Sequence, residues 1–345
     1  MAGVIAATGL RARAGWVLLG LVAVNAAAWA WALVAFRDFP VLLGTATLAY
    51  SFGLRHAFDA DHIAAIDNVT RKLMQDGQRP VGVGLFFSLG HSTVVILATI
   101  GIATAAFAFA DQLEAFKGIG GTIGTVVSTL FLLAIAAANF TILLAIRRTF
   151  VKVRAGEAVG DDQLDLLLSG GGLLARVLRP MFRLIRRSWH MYPLGLLFGL
   201  GFDTATEVGL LGISAASASN GLPISSILVF PALFTAGMTL MDTIDSVLMV
   251  GAYGWAFARP IRKLYYNMTI TFVSVVVALL VGGIEALGLI AEKLQPVGPF
   301  WDLVAVLNEN FGAIGFLIVG VFIASWVVSV LIYRARGYDR LDAGV

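Results

Sequence analysis

Apolar residues run along this chain in long blocks rather than in the one-sided stripe of a water-soluble helix. A membrane-crossing helix takes about 20 such residues. Eight blocks reach that scale: 14–36, 40–67, 81–109, 121–146, 192–215, 225–255, 266–289 and 311–333. The pattern predicts an all-α polytopic membrane protein of about eight transmembrane helices, built as a single transmembrane domain over 1–345. An even count puts both termini on one side. The first block follows Arg11 and Arg13 but is too long for the apolar region of a secretory signal, so it reads as a retained span.

The polar connections orient these spans. With both termini inside, the inner segments hold Arg11 and Arg13; Arg71, Lys72 and Arg79; the basic residues between Arg147 and Arg187; Arg259, Arg262 and Lys263; and Arg334, Arg336 and Arg340. Of the 24 basic residues, only Arg37, Lys117 and Lys293 fall outside, and Arg55 lies within a span. Basic residues concentrate on the cytoplasmic side of membrane proteins, so the expected location is the cytoplasmic (inner) membrane, with both termini in the cytoplasm. The longest inner loop is 147–190. Its second part places Leu174, Val177, Leu178, Met181, Phe182, Ile185 and Trp189 on one helical face with arginines between them. That is the pattern of a basic amphipathic helix lying on an anionic leaflet.

Composition narrows the class. Of the 345 residues 59% are hydrophobic and 13% charged, with a mean hydropathy of +0.89. Soluble domains carry about 25% charge, and disordered chains are polar; both are excluded. The net charge of +3 follows from the inner-side arginines, so nucleic acid is not an expected partner. The absence of cysteine excludes disulfides, thiolate metal sites and iron–sulfur clusters.

Against this background the ionisable residues inside the spans stand out: Arg55, His56, Asp59, Asp61, His62, Asp67, His91, Asp203, Glu207, Asp242, Asp245 and Glu285. A charge at mid-membrane costs at least ~2.5–3.5 kcal/mol and usually marks a pathway. With so many carboxylates against one arginine, either several are protonated or a cation sits among them. The second span is densest, with two imidazoles and two carboxylates in His56, Asp59, Asp61 and His62. Nitrogen and oxygen donors without sulfur suit a borderline divalent metal such as nickel, cobalt or zinc. The alternative is internal ion pairing, Arg55 with Asp59. A regular helix would not gather the donors. Taking His56 as origin, Asp59 and His62 lie about 60° and about 120° round on one side and Asp61 about 140° round on the other. His56 and His62 would be about 9 Å apart along the axis. Either the helix is unwound locally, for which Gly53 gives scope, or the ligand set differs. Asp67, at a span end, reads as structural, and Glu285, near an outer end, as reaching out to water.

Asp203 and Glu207 share a face of the fifth span, and Asp242 and Asp245 a face of the sixth. Asn139 and His91 can join them in a common polar interior. The chain also echoes itself. Phe52-Gly53-Leu54 with Phe58-Asp59 resembles Phe198-Gly199-Leu200 with Phe202-Asp203, and Phe87-x-x-Gly90 resembles Phe234-x-x-Gly237. The spacing from Gly53 to Gly90 matches that from Gly199 to Gly237 to within one residue. The second and fifth spans run in opposite directions, so spans two to four and five to seven form an inverted repeat of the secondary-transporter kind.

The string RHAFDADHIAAIDNVTR (55–71) resembles the signature of the nickel/cobalt transporter (NiCoT) family of membrane permeases, whose H-x4-D-H is met by His56, Asp61 and His62. FFSLGHSTVV (86–95), LGFDTATE (200–207) and LFTAGMTLMDTIDS (233–246) are similar to further family motifs. The resemblance implies a permease, not an enzyme, that takes up Ni2+ or Co2+ as substrate and needs no cofactor. It implies His56, Asp59, Asp61, His62 and His91 for metal recognition, and Asp203, Glu207, Asp242 and Asp245 along the pathway, to which the polar Asn139 of the fourth span is added on its position alone. A phosphate-binding G-x4-G-K-[ST] loop is absent from the sequence, so no ATPase subunit is expected. The competing readings are an exporter of the same metals and an intramembrane metalloenzyme; the H-E-x-x-H string of zinc proteases is absent.

Overall fold

The computed structural model describes residues 2–105, 110–154, 185–201, 205–256 and 260–335. Most of the expected amphipathic helix in 147–190, and Asp203, lie outside these residues. Among the described residues every regular element is helical. In chain order they are α1 (Ala2–Ala35), α2 (Pro40–His56), α3 (Ala60–Gln75), α4 (Val83–Ala105), α5 (Ala110–Arg154), α6 (Met191–Phe198), α7 (Ala205–Ser219), the short α8 (Ile224–Ile227), α9 (Val229–Ala256), α10 (Pro260–Leu294), α11 (Pro299–Glu309) and α12 (Phe311–Ala335). Single 3₁₀ turns at Ser188–His190 and Gly199–Gly201 flank α6.

Six of these helices are long and apolar enough to cross a membrane, within α1, α4, α5, α8–α9, α10 and α12. They coincide with six of the eight expected spans. The other two, 40–67 and 192–215, are not continuous helices. The first is broken between α2 and α3, and in the second α6 gives way at Phe198 to the 3₁₀ turn Gly199–Gly201.

The first break has a local cause. Past His56 the backbone tightens, with Phe58 N donating to Arg55 O and Asp59 N to His56 O, each at 2.9 Å. Asp59 then turns extended (φ −65°, ψ 145°) as the N-cap of α3, and Ile63 N donates to its carbonyl at 3.2 Å. Aspartate is a favoured N-cap, yet its carboxylate makes no capping bond here and is used elsewhere. Irregular backbone at membrane depth survives only where protein surrounds it. Here the ring of Phe58 stacks on Phe316 of α12 at 4.4 Å. Beyond the break α3 runs on to Gln75, two turns past the expected span end at Asp67. It packs against α9, α10, α12 and α5, so Asp67, Asn68, Thr70 and Arg71 are all buried with protein rather than water around them.

Two crossings hold the centre together, and both depend on glycine. Where α2 crosses α9, a side chain on Gly53 would run into the backbone of Phe234, and one on Gly237 into Tyr50 O and Leu54 N. Where α6 crosses α4, one on Gly195 would meet the backbone of Phe87, and one on Gly90 would meet Tyr192 O and Leu196 N. The two crossings use the same set of atoms. Tyr50, Gly53 and Leu54 answer to Tyr192, Gly195 and Leu196, and Phe234 and Gly237 to Phe87 and Gly90. Gly53 and Gly195 thus occupy like positions in the two crossings, whereas Gly199 lies against the backbone of His91. The shared pattern is Tyr-x-x-Gly-Leu, which the neighbouring Phe-Gly-Leu strings hid.

The outermost helices are loosely attached. Only 17% of the apolar window of α1 and 24% of that of α12 is buried, against 56% for α4 and for α8–α9. The helix α11 was not anticipated, being too short for a span. Its residues Phe300, Leu303 and Val306 are exposed along one face while Val304 is buried, as for a helix lying along an apolar boundary.

Gly195→Leu is expected to destabilise the protein by about 3 kcal/mol or more, because backbone rather than a flexible side chain must move. Gly44→Ala, with nothing within 4 Å of the added carbon, is expected to be neutral or to stabilise by about 0.5–1 kcal/mol through helix propensity. Thermal unfolding of the detergent-solubilised chain distinguishes the two.

Candidate metal centre

The break between α2 and α3 puts His56 at the end of one helix and His62 in the first turn of the next. Their ring centroids are 4.6 Å apart, where a continuous helix would hold the two residues about 9 Å apart along its axis. His91, from the middle of α4, completes a triangle with centroids 4.7 Å from His56 and 4.9 Å from His62. One ring nitrogen from each lies within 4.8 Å of the others, a spacing able to surround a metal ion. All three are 3% exposed or less.

Each imidazole is held by a carboxylate. His56 Nδ1 lies 2.7 Å from Asp59 Oδ2, His62 Nδ1 lies 3.1 Å from Asp242 Oδ2, and His91 Nε2 lies 2.8 Å from Glu207 Oε1. The three carboxylates arrive on the broken segment, on α9 and in the first turn of α7. Asp242 is steadied in turn by Ser88, whose hydroxyl donates to Oδ2 at 2.5 Å. A carboxylate on one ring nitrogen fixes the ring's orientation and raises the basicity of the other nitrogen, the arrangement found behind metal-bound histidines. Among the described residues His62 Nε2 and His91 Nδ1 have no hydrogen-bond partner although buried. His56 Nε2 lies 2.9 Å from His91 Nε2, so one of that pair must carry a proton for the other to accept.

Aromatic rings line the nest. Phe234 lies 5.5 Å from the ring of His56, and Phe87 meets His62 edge-on at 4.8 Å. These are the corresponding residues of the two glycine crossings.

Other residues singled out in the sequence lie elsewhere. Asp59 sits behind His56 rather than among the three mutually close donors. Asp61 is half-buried, and its Oδ1 has no partner among the described residues. Arg55 is exposed, and among the described residues no ion pair joins it to Asp59, whose carboxylate goes to His56 instead. Asp245 lies one turn beyond Asp242 and is half-buried, with Oδ2 unpartnered among the described residues. Asn139 is not at the nest: its amide donates to Asn68 Oδ1 at 2.7 Å, in a separate polar layer further along α3. Asp67 belongs to that layer too, accepting from Tyr253 and from Ser274. Glu285 does not reach out to water. It is 6% exposed and accepts from Ser128 at 2.8 Å and Thr129 at 3.2 Å, two donors from α5 that no motif had marked. Sequence reasoning also missed Ser88, though it stands one helical turn before His91, the position from which a side chain reaches the same face.

Fold and nest together define an all-helical polytopic membrane protein with ionisable groups gathered where broken helices meet, the architecture of ion-carrying membrane proteins. The chain belongs to the NicO family, described as high-affinity nickel-transport protein, whose family model matches residues 42–332. It is 64% identical to the high-affinity nickel transport protein of Cupriavidus necator over 92% of this chain and 91% of that one. It is 46% identical to the nickel transporter NixA of Staphylococcus aureus, over 87% and 88% of the two chains. It is 43% identical to the cobalt transport protein NhlF of Rhodococcus rhodochrous, over 84% and 82%. No solved structure matches the chain.

Proposed function

We propose that this protein is a secondary transporter that takes up Ni2+ or Co2+ across the cytoplasmic membrane, binding the ion through His56, His62 and His91. The observation that carries the reading is the set of three imidazoles, each turned by its own carboxylate, in a part of the molecule where water is scarce. Imidazole with carboxylate nearby and no sulfur favours borderline divalent metals. The names of the relatives point to the same two, nickel and cobalt.

The ion arrives from an outer face where Asp38, Asp111, Glu114, Glu292, Asp302 and Glu309 outnumber the bases and raise its local concentration. It sheds water for ring nitrogens, with Asp61 available as an oxygen donor. Metal binds only a deprotonated ring nitrogen, so any proton held on a ligating nitrogen of His56, His62 or His91 is released as the metal enters. Asp59, Asp242 and Glu207 supply negative charge behind the rings, so the loaded nest is closer to neutral than the empty one. The membrane potential favours entry by ~2.3 kcal/mol per charge per 100 mV, about twice that for a divalent ion. The cycle runs on this gradient without an ATPase subunit.

The two glycine crossings support an inverted repeat of spans two to four and five to seven, with the broken helices counted as spans two and five. Two copies of one crossing, carried on spans that the inner-side arginines orient oppositely, give the symmetry that alternating access needs. The low burial of α1 and α12 supports their lying outside the repeat. Asp245, one turn beyond Asp242, extends the acidic lining away from the nest, and Asp203 stays a pathway candidate on its motif alone. The inner-side arginines support both termini lying in the cytoplasm.

Cells making the chain are expected to accumulate radiolabelled nickel above the empty-vector level, with cobalt competing; accumulation below that level indicates export and overturns uptake. His62→Ala is expected to abolish accumulation while the protein remains in the membrane. Asp59→Asn and Glu207→Gln, which leave all three imidazoles in place, are each expected to weaken nickel binding by about 10–100-fold, as read by calorimetry on purified protein. Unchanged affinity in both would remove the orienting role of the carboxylates.

A further inference from the structure

A second buried polar layer lies along α3, beyond the imidazole nest. It begins about 7.5 Å past His62 along the helix axis, at Asp67, and ends about 13.5 Å past it, at Arg71. Asp67 accepts hydrogen bonds from Tyr253 of α9 and, at 2.8 Å, from Ser274 of α10. Arg71 donates to Thr271 of α10 at 3.0 Å and to Asn68 at 3.1 Å. Asn68 also accepts from Asn139 of α5. Asp67 and Arg71 are 0% and 1% exposed. One layer thus ties α3 to three neighbours at the end of the pathway that leads to the basic loop around Arg71–Arg79. At that end Lys72 donates to Ile185 O, and Gln78 to Arg186 O.

The charges in this layer are paired in an unusual way. Asp67 and Arg71 stand four apart on one helix, the spacing at which aspartate and arginine side chains meet. Among the described residues no ion pair joins them; both take neutral partners, Asp67 on α9 and α10, Arg71 on α10 and at Asn68 of its own helix. The guanidinium has no carboxylate within ion-pair distance among the described residues, and its Nε has no hydrogen-bond partner there. A buried charge held this way is poorly compensated, although a better partner is one turn away.

We propose that Asp67 and Arg71 form a two-position latch closing the basic-loop side of the transport pathway, shut by their bonds to Tyr253, Ser274 and Thr271 and open when they pair with each other. The proposal rests on the transport reading above. Shut, the latch fastens α3 to α9 and α10 and sets a fixed positive charge in front of a leaving cation. Open, carboxylate and guanidinium satisfy each other within α3. The groups left behind are three hydroxyls, which incoming water can satisfy, and the Asn68 carboxamide, whose oxygen keeps its bond from Asn139, so neither position strands a buried charge. Two mutually exclusive sets of hydrogen bonds on one helix are what a bistable element requires.

The chain has no cysteine, so a single introduced thiol reports on access. Ser246 is fully buried on α9, on the same helical face as Asp242 and Tyr253 and between them. In Ser246→Cys, labelling by a membrane-impermeant maleimide applied from the basic-loop side is expected to be slow. Adding Tyr253→Phe, which removes a donor to Asp67, is expected to speed it at least tenfold and leave nickel affinity within about twofold. Ser274→Ala, which removes the other donor to the same carboxylate, is expected to act in the same direction. The exchange Asp67→Arg with Arg71→Asp is expected to transport nickel at least tenfold faster than the slower of its two single variants. Unchanged labelling in both donor variants with nickel affinity intact, or an exchange no better than its singles, overturns the latch. Labelling requires no metal, so it can fail on its own. If the unaltered chain binds no nickel, the transport reading fails instead.

Discussion

Everything central in this structure depends on making carboxylates tolerable in a medium without water. A lone ionised carboxylate there is expensive, and the chain answers by giving five of them a definite neighbour. Asp59, Asp242 and Glu207 each take an imidazole; Asp67 takes a phenol and a hydroxyl; Glu285 takes two hydroxyls. These partners come from different helices, so polar pairing decides which helices meet and in what register. Apolar surface cannot make that choice, because lipid is as good a neighbour for leucine as another leucine.

The broken second span shows how local backbone serves this end. Asp59 is placed where a helix start needs a cap, yet its carboxylate serves His56. The first turn of α3 accepts the loss because protein encloses it, with Phe58 stacked on Phe316. The same break brings His62 back beneath His56. A continuous helix would have separated the imidazoles, and no rotamer of either would have recovered the distance.

Much of this was legible in the residues. Span-length apolar blocks marked the six continuous helices, and the family resemblance carried by His56, Asp61 and His62 is met by the NicO match over residues 42–332. The angular conflict between His56 and His62 already required a departure from regular helix or a different ligand set. What stayed hidden depends on partners distant in sequence. Asp59 and His56 are neighbours, but Asp242 and His62 are 180 residues apart, and nothing local distinguishes a carboxylate that orients a histidine from one that binds metal. Glu285 was misread for the same reason: its position near a span end suggested water, while Ser128 and Thr129 were waiting on another helix. Asp67 read as structural, but its partners Tyr253 and Ser274 lie 186 and 207 residues away. The likeness of the two glycine crossings, carried by Tyr-x-x-Gly-Leu, was masked by the Phe-Gly-Leu strings at Gly53 and Gly199.

The long pair α5 and α10 has a bearing on how such a molecule can move. Glu285 of α10 is fastened by hydroxyls of Ser128 and Thr129 on successive residues of α5, and the packing of α5 along α10 is extensive. Sliding one helix past the other by even a single turn would strip that carboxylate of both donors in a place with no solvent to replace them. The pair therefore behaves as a stator: a fixed rail against which the shorter, interrupted helices are free to tilt.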